Sequence, residues 1–123
     1  MTLQDWIKIA QTHVNKYIRL RDKNKPCVSC KNPLGKKFDA GHFYNANNHW
    51  IIRFDESNIH GQCVKCNQHL HGNGNEYRKN ILSRISVEEL ERLDSVCNTP
   101  ANYSIEDVKK IIEIYKKKVK ELE

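Results

Sequence analysis

The segment CVKCNQHLH, residues 63–71, concentrates side chains that bind metals: two cysteines, two histidines, an asparagine and a glutamine. A second C-x-x-C pair, Cys27 and Cys30, lies upstream of Cys63 and Cys66. A two-residue spacer lets both sulfurs of a pair face one ion, and two such pairs are typical of a tetrahedral structural zinc site. The spacing therefore predicts one zinc ion bound by all four cysteines.

A disulfide framework and a redox pair are the two alternatives for these cysteines. A disulfide framework belongs to an oxidising compartment, which nothing in the sequence indicates, and a redox pair needs one C-x-x-C in a thioredoxin-like βαβ unit. Zinc is favoured over both, and could contribute about 10 kcal/mol to folding. The fifth cysteine, Cys97, stands alone in a helical stretch and is expected to be a small buried side chain.

A second set of chemically active residues surrounds this motif. Asp39 and His42 lie in FDAGHF, and Asn67 directly follows the second cysteine pair. A carboxylate, an imidazole and an amide oxygen around one point can hold a hard divalent cation and activate a water molecule. An isolated Asp39–His42 pair is also explained by a hydrogen-bonded turn. The zinc site would join the two segments, however, and we expect all three side chains to surround one ion.

The elements that position these residues follow from periodicity. Apolar residues at three- and four-residue spacing predict a helix over 3–22, and helical spacing returns over 75–122. Ser86 and Ser104, each followed three positions later by an acidic residue, predict two helix starts, the first helix running to about residue 96. The apolar stripe of the last helix is expected to pack on the first helix. Between them, 26–75 predicts a β-hairpin whose strands are KFDAGHFY and WIIRF.

Composition indicates one domain, 1–123, with nucleic acid as a candidate partner. The 21 basic and 15 acidic residues give a net charge of +6, which favours a polyanionic partner, although solvated lysine-rich helices give the same excess. No apolar run approaches the length of a bilayer, and MTLQDWIKIA does not resemble a signal peptide. We therefore expect a cytoplasmic protein with no membrane partner.

Several motifs resemble known phage proteins. DAGH on a strand, Asn58 five residues before Cys63, and CVKCN opening a helix resemble the ββα-metal HNH nucleases of the zinc-stapled, endonuclease VII-like kind. The longer segments PCVSC, DAGHF, RFDESNIHGQCVKCNQH and SRI more closely resemble the NinG, or Rap, family of phage recombination proteins. The resemblance runs from about Leu3 to Leu122. It implies an α+β, mostly helical fold, with a zinc-stapled ββα-metal (HNH-like) core flanked by N- and C-terminal helices.

The resemblance also implies a role for each site residue. His42 becomes the general base that activates water, and Asp39 and Asn67 become ligands of a catalytic Mg²⁺ or Mn²⁺ ion. Asn58 becomes the middle asparagine, which braces the loop carrying the base. His69 matches the C-N-Q-H of the family and could ligate the metal, contact the scissile phosphate or protonate the leaving group.

The activity that the resemblance implies is hydrolysis of DNA. The expected protein is an HNH-type endodeoxyribonuclease of a phage or prophage in a bacterial host, which cuts branched recombination intermediates such as D-loops and Holliday junctions. A homodimer would suit a symmetric junction. Nucleic-acid contacts are expected from Arg53, His60, Lys36, Lys37 and Arg78, although a structural role ranks first for His60.

The sequence departs from the family pattern at two places. Leu70 and His71 follow C-N-Q-H where the family tends to have a basic residue, and a basic N-terminal arm found in NinG proteins is missing. Weaker DNA affinity is the expected consequence. Two alternative functions remain open: a non-catalytic zinc-stabilised DNA-binding module, and an HNH nuclease with another or nonspecific DNA target.

Overall fold

A computed structural model describes residues 1–123 as four α-helices and one two-stranded antiparallel sheet. The elements are α1 (Leu3–Asp22), β1 (Asp39–His42), β2 (Ile59–Gln62), α2 (Gly74–Asn80), α3 (Val87–Val96) and α4 (Ile105–Leu122). Short helical turns lie at Trp50–Ile52, Glu56–Asn58, Lys65–His69 and Ile81–Ser83. The predicted α+β class is confirmed. None of the helices is both long and apolar enough to cross a bilayer.

The two long helices, α1 and α4, form the main core of the protein. Thr2 caps α1 through a reciprocal pair of hydrogen bonds with Asp5, which fixes the start of the helix. Both ends of α1 agree with the predicted residues 3–22. The apolar stripes of the two helices pack on each other, as predicted, and α1 also packs on β2. The buried residues of this core are Ile7, Ala10, Val14, Ile18, Phe54, Ile59, Val108, Ile112 and Tyr115.

Both predicted starts of the C-terminal helices are confirmed. Ser104 and Asp107 form a complete capping box at the start of α4. At the start of α3, Ser86 accepts a hydrogen bond from the backbone N–H of Glu89. The Glu89 carboxylate accepts hydrogen bonds from Ser57 and from an arginine of α3, so only half of a capping box forms there.

The WIIRF segment is not the second strand of the hairpin, and this part of the sequence prediction is wrong. Residues Trp50–Ile52 form a 3₁₀ turn, and the strand that pairs with β1 begins at Ile59. Two carbonyl groups that a strand would use to bond a neighbouring strand accept hydrogen bonds from side chains instead. Asn58 Nδ2 donates to the Ile52 oxygen, and His42 Nε2 donates to the Arg53 oxygen. Tertiary contacts therefore override the strand propensity of the two isoleucines.

The short helix expected to open at CVKCN is present as a single turn that begins at Lys65. Asn67 lies in a single π-helical turn, Lys65–His69, which is separated from α2. His71, Gly72 and Asn73 all have positive φ angles, of 50°, 90° and 44°. Because these residues adopt the left-handed backbone conformation, the turn ends there and the chain changes direction before α2 begins.

The register of the sheet determines which side chains share a face. Asp39 pairs with Gln62 and His42 pairs with Ile59, and residues directly opposite each other project from the same face. Ile59 packs into the α1 core, whereas Gln62 faces Gly41 on the other face. A Cβ at Gly41 would collide with the Gln62 side chain, so the glycine of D-A-G-H is required by close packing.

Candidate functional site

The four cysteines predicted to bind zinc come together at one point. Their sulfur atoms all lie within 4.8 Å of one another, and the sulfurs of Cys30 and Cys63 are 3.8 Å apart. In a tetrahedral site with zinc–sulfur bonds of about 2.3 Å, the sulfurs are separated by roughly 3.8 Å. The geometry therefore fits one zinc ion, which Cys27, Cys30, Cys63 and Cys66 could hold.

Hydrogen-bond donors surround these sulfurs. The backbone N–H of Cys63 points at the Cys27 sulfur over 3.3 Å, and the side chain of Asn73 donates to the Cys66 sulfur over 3.5 Å. Burial raises the pKa of Cys27, but backbone N–H groups more than offset it and bring the pKa to about 7. Burial raises the pKa of Cys66 to about 12. Four thiolates need a cation to ionise together, and soft sulfur donors suit zinc.

Cys97 lies outside this cluster. Its side chain is buried between α3 and the Trp50–Ile52 turn, where Ile52 and Leu93 pack against it. Its sulfur donates to the Asp94 carbonyl over 3.3 Å. The prediction of a small buried side chain is confirmed.

Asp39 and Asn67 are in direct contact. Asn67 Nδ2 donates to Asp39 Oδ2 over 2.9 Å, and Gln68 Nε2 donates to the same oxygen over 2.9 Å. Oδ1 of Asp39 and Oδ1 of Asn67 remain as acceptors, and hard oxygens of this kind are suitable ligands for Mg²⁺ or Mn²⁺. This donor set fits a hard divalent ion that keeps several water ligands.

His42 is held in one tautomer by the loop that follows β1. Its Nε2 lies 2.9 Å from the Arg53 carbonyl oxygen, and because a carbonyl only accepts, Nε2 must carry the proton. In the neutral ring Nδ1 is then an acceptor. Burial lowers the pKa of His42, and the nearby Arg53 charge adds to this effect. The ring is therefore neutral at pH 7 and able to take a proton from water.

The structure separates His42 from the pair formed by Asp39 and Asn67. Successive side chains alternate between the faces of a strand, so His42 shares the α1 face with Ile59 and Asp39 lies on the other face. Three residues of a strand span about 10 Å. The imidazole therefore projects from the face of β1 opposite to the Asp39–Asn67 pair, and an ion shared by all three side chains stays a prediction.

Asn58 is fully buried and fastens the loop between the strands. Its Oδ1 accepts from the Tyr44 N–H over 2.8 Å, and its Nδ2 donates to the Tyr44 carbonyl over 2.9 Å and to the Ile52 carbonyl over 3.2 Å. The Phe43 N–H in turn donates to the Asn58 carbonyl. Asn58 thus fixes the chain immediately after His42, which matches the bracing role expected from the sequence.

His69 is the last residue of the turn that follows the cysteines, and its side chain is exposed. Asn67 and Gln68, not His69, reach Asp39. Gln68 received no role from the sequence, although it stands in the same C-N-Q-H motif. A polar side chain adjacent to a predicted ligand was the signal that could have identified it.

Three of the residues expected to contact nucleic acid are accessible. Lys36 and Lys37 are exposed just before β1. Arg53 lies beside His42, with its guanidinium 4.6 Å from the centroid of the Trp50 ring. A cation stacked on an aromatic ring at a partly exposed position can still reach a phosphate.

The other two residues expected to contact nucleic acid have partners within the protein. Arg78 forms an ion pair with Asp94 at 2.8 Å, which competes with a phosphate for its guanidinium. His60 is only 2% exposed, and its Nε2 lies 2.7 Å from the Ser57 carbonyl oxygen. The expected nucleic-acid contact of His60 is therefore wrong, because its ring cannot reach a ligand at the surface.

Comparison with known proteins identifies close relatives. The family model described as Bacteriophage Lambda NinG protein matches residues 1–123. Over 117 residues, or 95% of this chain, the sequence is 43% identical to Protein ninG of Escherichia phage lambda, covering 57% of that protein. The same stretch is 41% identical to Protein ninG of Escherichia phage 933W, covering 58%, and 40% identical to that of Salmonella phage P22, covering 57%. The chain thus spans less than two thirds of the length of these relatives. No solved structure matches.

Proposed function

Because this chain belongs to the NinG family of phage proteins, we propose that it is a metal-dependent endonuclease that hydrolyses a phosphodiester bond of DNA. The observation that carries the proposal is the contact between Asp39 and Asn67 directly after the cysteine cluster. A carboxylate and an amide oxygen, held together beside a rigid cross-link, form a preorganised pair of hard ligands. A purely structural zinc module has no need of such a pair.

The base in this proposal is His42. Its Nε2–H is fixed on the Arg53 carbonyl, so the lone pair of Nδ1 is free to take a proton from water. The resulting hydroxide attacks the phosphorus, the bond from phosphorus to the 3′ oxygen breaks, and the products are a 5′ phosphate and a 3′ hydroxyl. The lowered pKa of His42 keeps the ring in its basic form at neutral pH.

Asp39 and Asn67 would hold a Mg²⁺ or Mn²⁺ ion, which when bound supplies electrostatic stabilisation of the charge that develops on the phosphoryl and leaving oxygens. Gln68 restrains Asp39 by donating to the oxygen that Asn67 also contacts. Zinc held by the four cysteines would stay outside the chemistry and would fix the turn that carries Asn67 and Gln68. The exposed His69 is a candidate donor of a proton to the leaving oxygen.

The proposal constrains where the substrate lies. His42 and Asp39 project from opposite faces of β1, about 10 Å apart along the strand, and β1 pairs only with β2. The scissile phosphate must therefore lie over the unpaired edge of β1, where groups from both faces can approach it. Two lysines shortly before β1, Lys36 and Lys37, would contact neighbouring phosphates. Arg53, whose carbonyl contacts the His42 ring, would do the same.

For the substrate we propose branched recombination DNA. The experiment compares cleavage of a four-way junction, a D-loop and a linear duplex, each with Mg²⁺, with Mn²⁺ and with chelator. Metal-dependent cleavage by the wild type, lost in His42→Ala and kept in His13→Gln, supports the proposal. His13 is a suitable control because it lies on α1 in the groove that faces Glu113 and Lys116 of α4.

The separation of His42 from the Asp39–Asn67 pair favours a second candidate, a zinc-stabilised DNA-binding module without catalysis. The same experiment distinguishes the two functions. Binding of all three DNAs without cleavage under any metal condition would leave the binding module. Cleavage of linear duplex at the same rate as the branched substrates would instead indicate a nuclease without structural selectivity.

A further inference from the structure

A basic concave surface, here called the lysine surface, includes residues on both sides of the first cysteine pair. It encloses a volume of about 350 Å³. The residues that line it are Lys23, Asn24, Lys25, Pro26, Lys31, Pro33, Leu34 and Gly35. Three of them are lysines and none is acidic. No predicted metal ligand is among them, so the lysine surface is distinct from the candidate nuclease site.

The positive charge of the lysine surface is not neutralised by acidic side chains. Residues 23–38 contain five lysines and no aspartate or glutamate. Of the three lining lysines only Lys25 forms an ion pair, with Asp22 at 3.6 Å, and Arg21 already binds that carboxylate at 2.8 Å. Lys23 and Lys31 are exposed and have no acidic partner. Their ammonium groups are therefore free to bind an anion from solution.

The backbone beneath the lysine surface is fixed by hydrogen bonds. Pro26 and Pro33 face each other across an antiparallel bridge. Between them, the Cys27 N–H donates to the Asn32 carbonyl over 2.8 Å, and the Lys31 N–H donates to the Cys27 carbonyl over 2.9 Å. The φ angle of Lys31, 64°, lies in the left-handed region that favours glycine, so the backbone conformation does not explain a lysine there. This fixed loop holds Lys31 beside the lysines that follow α1.

The chemistry of the lining favours a nucleic-acid backbone over a protein partner. Apart from two prolines, Leu34 is the only apolar side chain that lines the surface, and it is 6% exposed. Protein interfaces centre on apolar and aromatic residues, and reading of bases needs stacking or bidentate side chains. Neither is present here. Lysine instead binds phosphate as a point charge, without reading base sequence.

The lysine surface is continuous with the segment that leads to the proposed cleavage site. Gly35 is its last residue, Lys36 and Lys37 follow, and β1 begins at Asp39. Four residues span at most about 14 Å, which corresponds to roughly four base pairs of a duplex. A short duplex arm that lies at β1 is therefore long enough to reach the lysine surface.

We propose that the lysine surface binds the phosphate backbone of a DNA duplex arm next to the scissile phosphate, with Lys23 and Lys31 as its main contacts. The choice of DNA rests on the proposed function, whereas binding itself requires no cleavage. The two lysines hold the arm against the fixed loop and set its position relative to β1. Contacts of this kind are independent of base sequence, which suits a substrate recognised by its branched shape.

The test measures binding of a labelled four-way junction by fluorescence anisotropy over a series of salt concentrations. Mg²⁺ is left out so that no DNA is cut. The logarithm of the affinity falls linearly with the logarithm of the salt concentration, and each lysine that contacts a phosphate contributes about 1 to the slope. Lys23→Gln/Lys31→Gln should therefore lower the slope by about 2 and weaken binding. This double variant keeps the Lys25–Asp22 ion pair, and thermal unfolding checks that its fold is intact.

The matched control is Lys110→Gln/Lys117→Gln on α4, which removes the same charge from two exposed lysines. Its slope should equal that of the wild type. An unchanged slope in Lys23→Gln/Lys31→Gln, or an equal reduction in the control, would overturn the proposal. Displacement of the junction by polyglutamate at the same charge concentration would also overturn it, since the surface would then bind any polyanion.

Failure of this proposal is distinguishable from failure of the nuclease proposal. If the wild type cuts DNA with Mg²⁺ and the salt slope of Lys23→Gln/Lys31→Gln is unchanged, the nuclease stands and the lysine surface does not. If the slope falls in that variant but the wild type cuts no DNA under any metal condition, the lysine surface stands and the nuclease does not.

Discussion

The side-chain amide of Asn67 donates a hydrogen bond to Oδ2 of Asp39 over 2.9 Å, joining the turn after the cysteine cluster to the first strand. The partners come from segments far apart in sequence, and the cysteines are the nearest cross-link between them. Any change that loosens the cluster should therefore also separate this pair. One short turn would thus couple the stability of the protein to the proposed metal-dependent function.

The first prediction concerns this coupling. The purified protein should contain one zinc ion per chain, and Cys63→Ser should lose it and unfold at a markedly lower temperature, since structural zinc contributes about 10 kcal/mol or more to folding. Mass spectrometry under native conditions and thermal unfolding measure the two effects. Cys97→Ser is the matched control, because Cys97 is buried but outside the cluster, and it should keep the zinc. Unchanged stability of Cys63→Ser would refute the structural role.

The second prediction separates catalysis from folding at His42. His42→Ala should lower the cleavage rate by roughly 10²- to 10⁴-fold, as expected for loss of a general base, with zinc content, helicity and DNA binding unchanged. Because burial lowers the pKa of His42, the wild-type rate should be constant above neutral pH. It should fall only at a pH below the ordinary histidine value of about 6.5. A normal rate in His42→Ala would show that another group is the base.

The third prediction concerns the oxygen ligands. Asp39→Ala should abolish most cleavage, and the activity that remains should need a higher Mg²⁺ concentration, because one hard anionic ligand is gone. Gln68→Ala removes only a hydrogen bond to the same carboxylate, so it should raise the Mg²⁺ requirement less. Rates measured across a Mg²⁺ titration rank the variants. Equal Mg²⁺ dependence of wild type and Asp39→Ala would contradict the assignment.

The fourth prediction tests the packing at Gly41. Gly41→Ala should destabilise the protein by about 1–3 kcal/mol, the usual cost of overpacking, because the new methyl group meets the Gln62 side chain. Gly74→Ala is the control, since no atom lies within 4 Å of its Cβ position. At a helical position that change should be neutral or stabilising. Urea unfolding of both variants gives the comparison.

The fifth prediction follows from the buried His60. Burial lowers its pKa to about 4, whereas an unfolded histidine titrates near 6.5. Between these values the unfolded chain binds a proton that the folded chain does not, so stability falls as the pH drops below 6.5. The loss should be about 1 kcal/mol between pH 7 and 5.5.

The contribution of His60 is isolated by comparing the wild type with His60→Gln. The four cysteines are present in both proteins, so their titration affects both equally. Urea unfolding at pH 7 and 5.5 should show a smaller loss of stability in His60→Gln. Equal losses in the two proteins would mean that His60 is accessible to protons in the folded state.

The parts of the fold that were predictable from sequence are those with local causes. The limits of α1 follow from apolar spacing and a capping box, and Ser86 and Ser104 start α3 and α4 through their own side chains. The four cysteines were predictable because zinc coordination imposes a short, regular spacing. The match to the NinG family likewise rests on long contiguous motifs.

The parts that were not predictable depend on distant contacts. WIIRF has strand propensity, yet Asn58 and His42 hold its carbonyls from other segments, and nothing within five residues reveals that. Histidine is a residue type that often binds ligands, and only the contacts of the His60 ring with Arg21 and Ser57 show that the ring is buried. The opposite faces of His42 and Asp39, by contrast, follow from the alternation of side chains along a single strand, so their three-residue spacing already implied them once β1 was predicted.

The packing of α1 on α4 has a consequence for synthesis. The apolar stripe of α1 leaves the ribosome before any of the hairpin, the cysteine turns or α4 has been made. Contacts between distant segments form slowly, and exposed apolar surface favours aggregation until they form. Nascent α1 thus has no long helical partner until α4 emerges, and rapid zinc capture by the cysteines would shorten this interval by bringing the middle of the chain into order first.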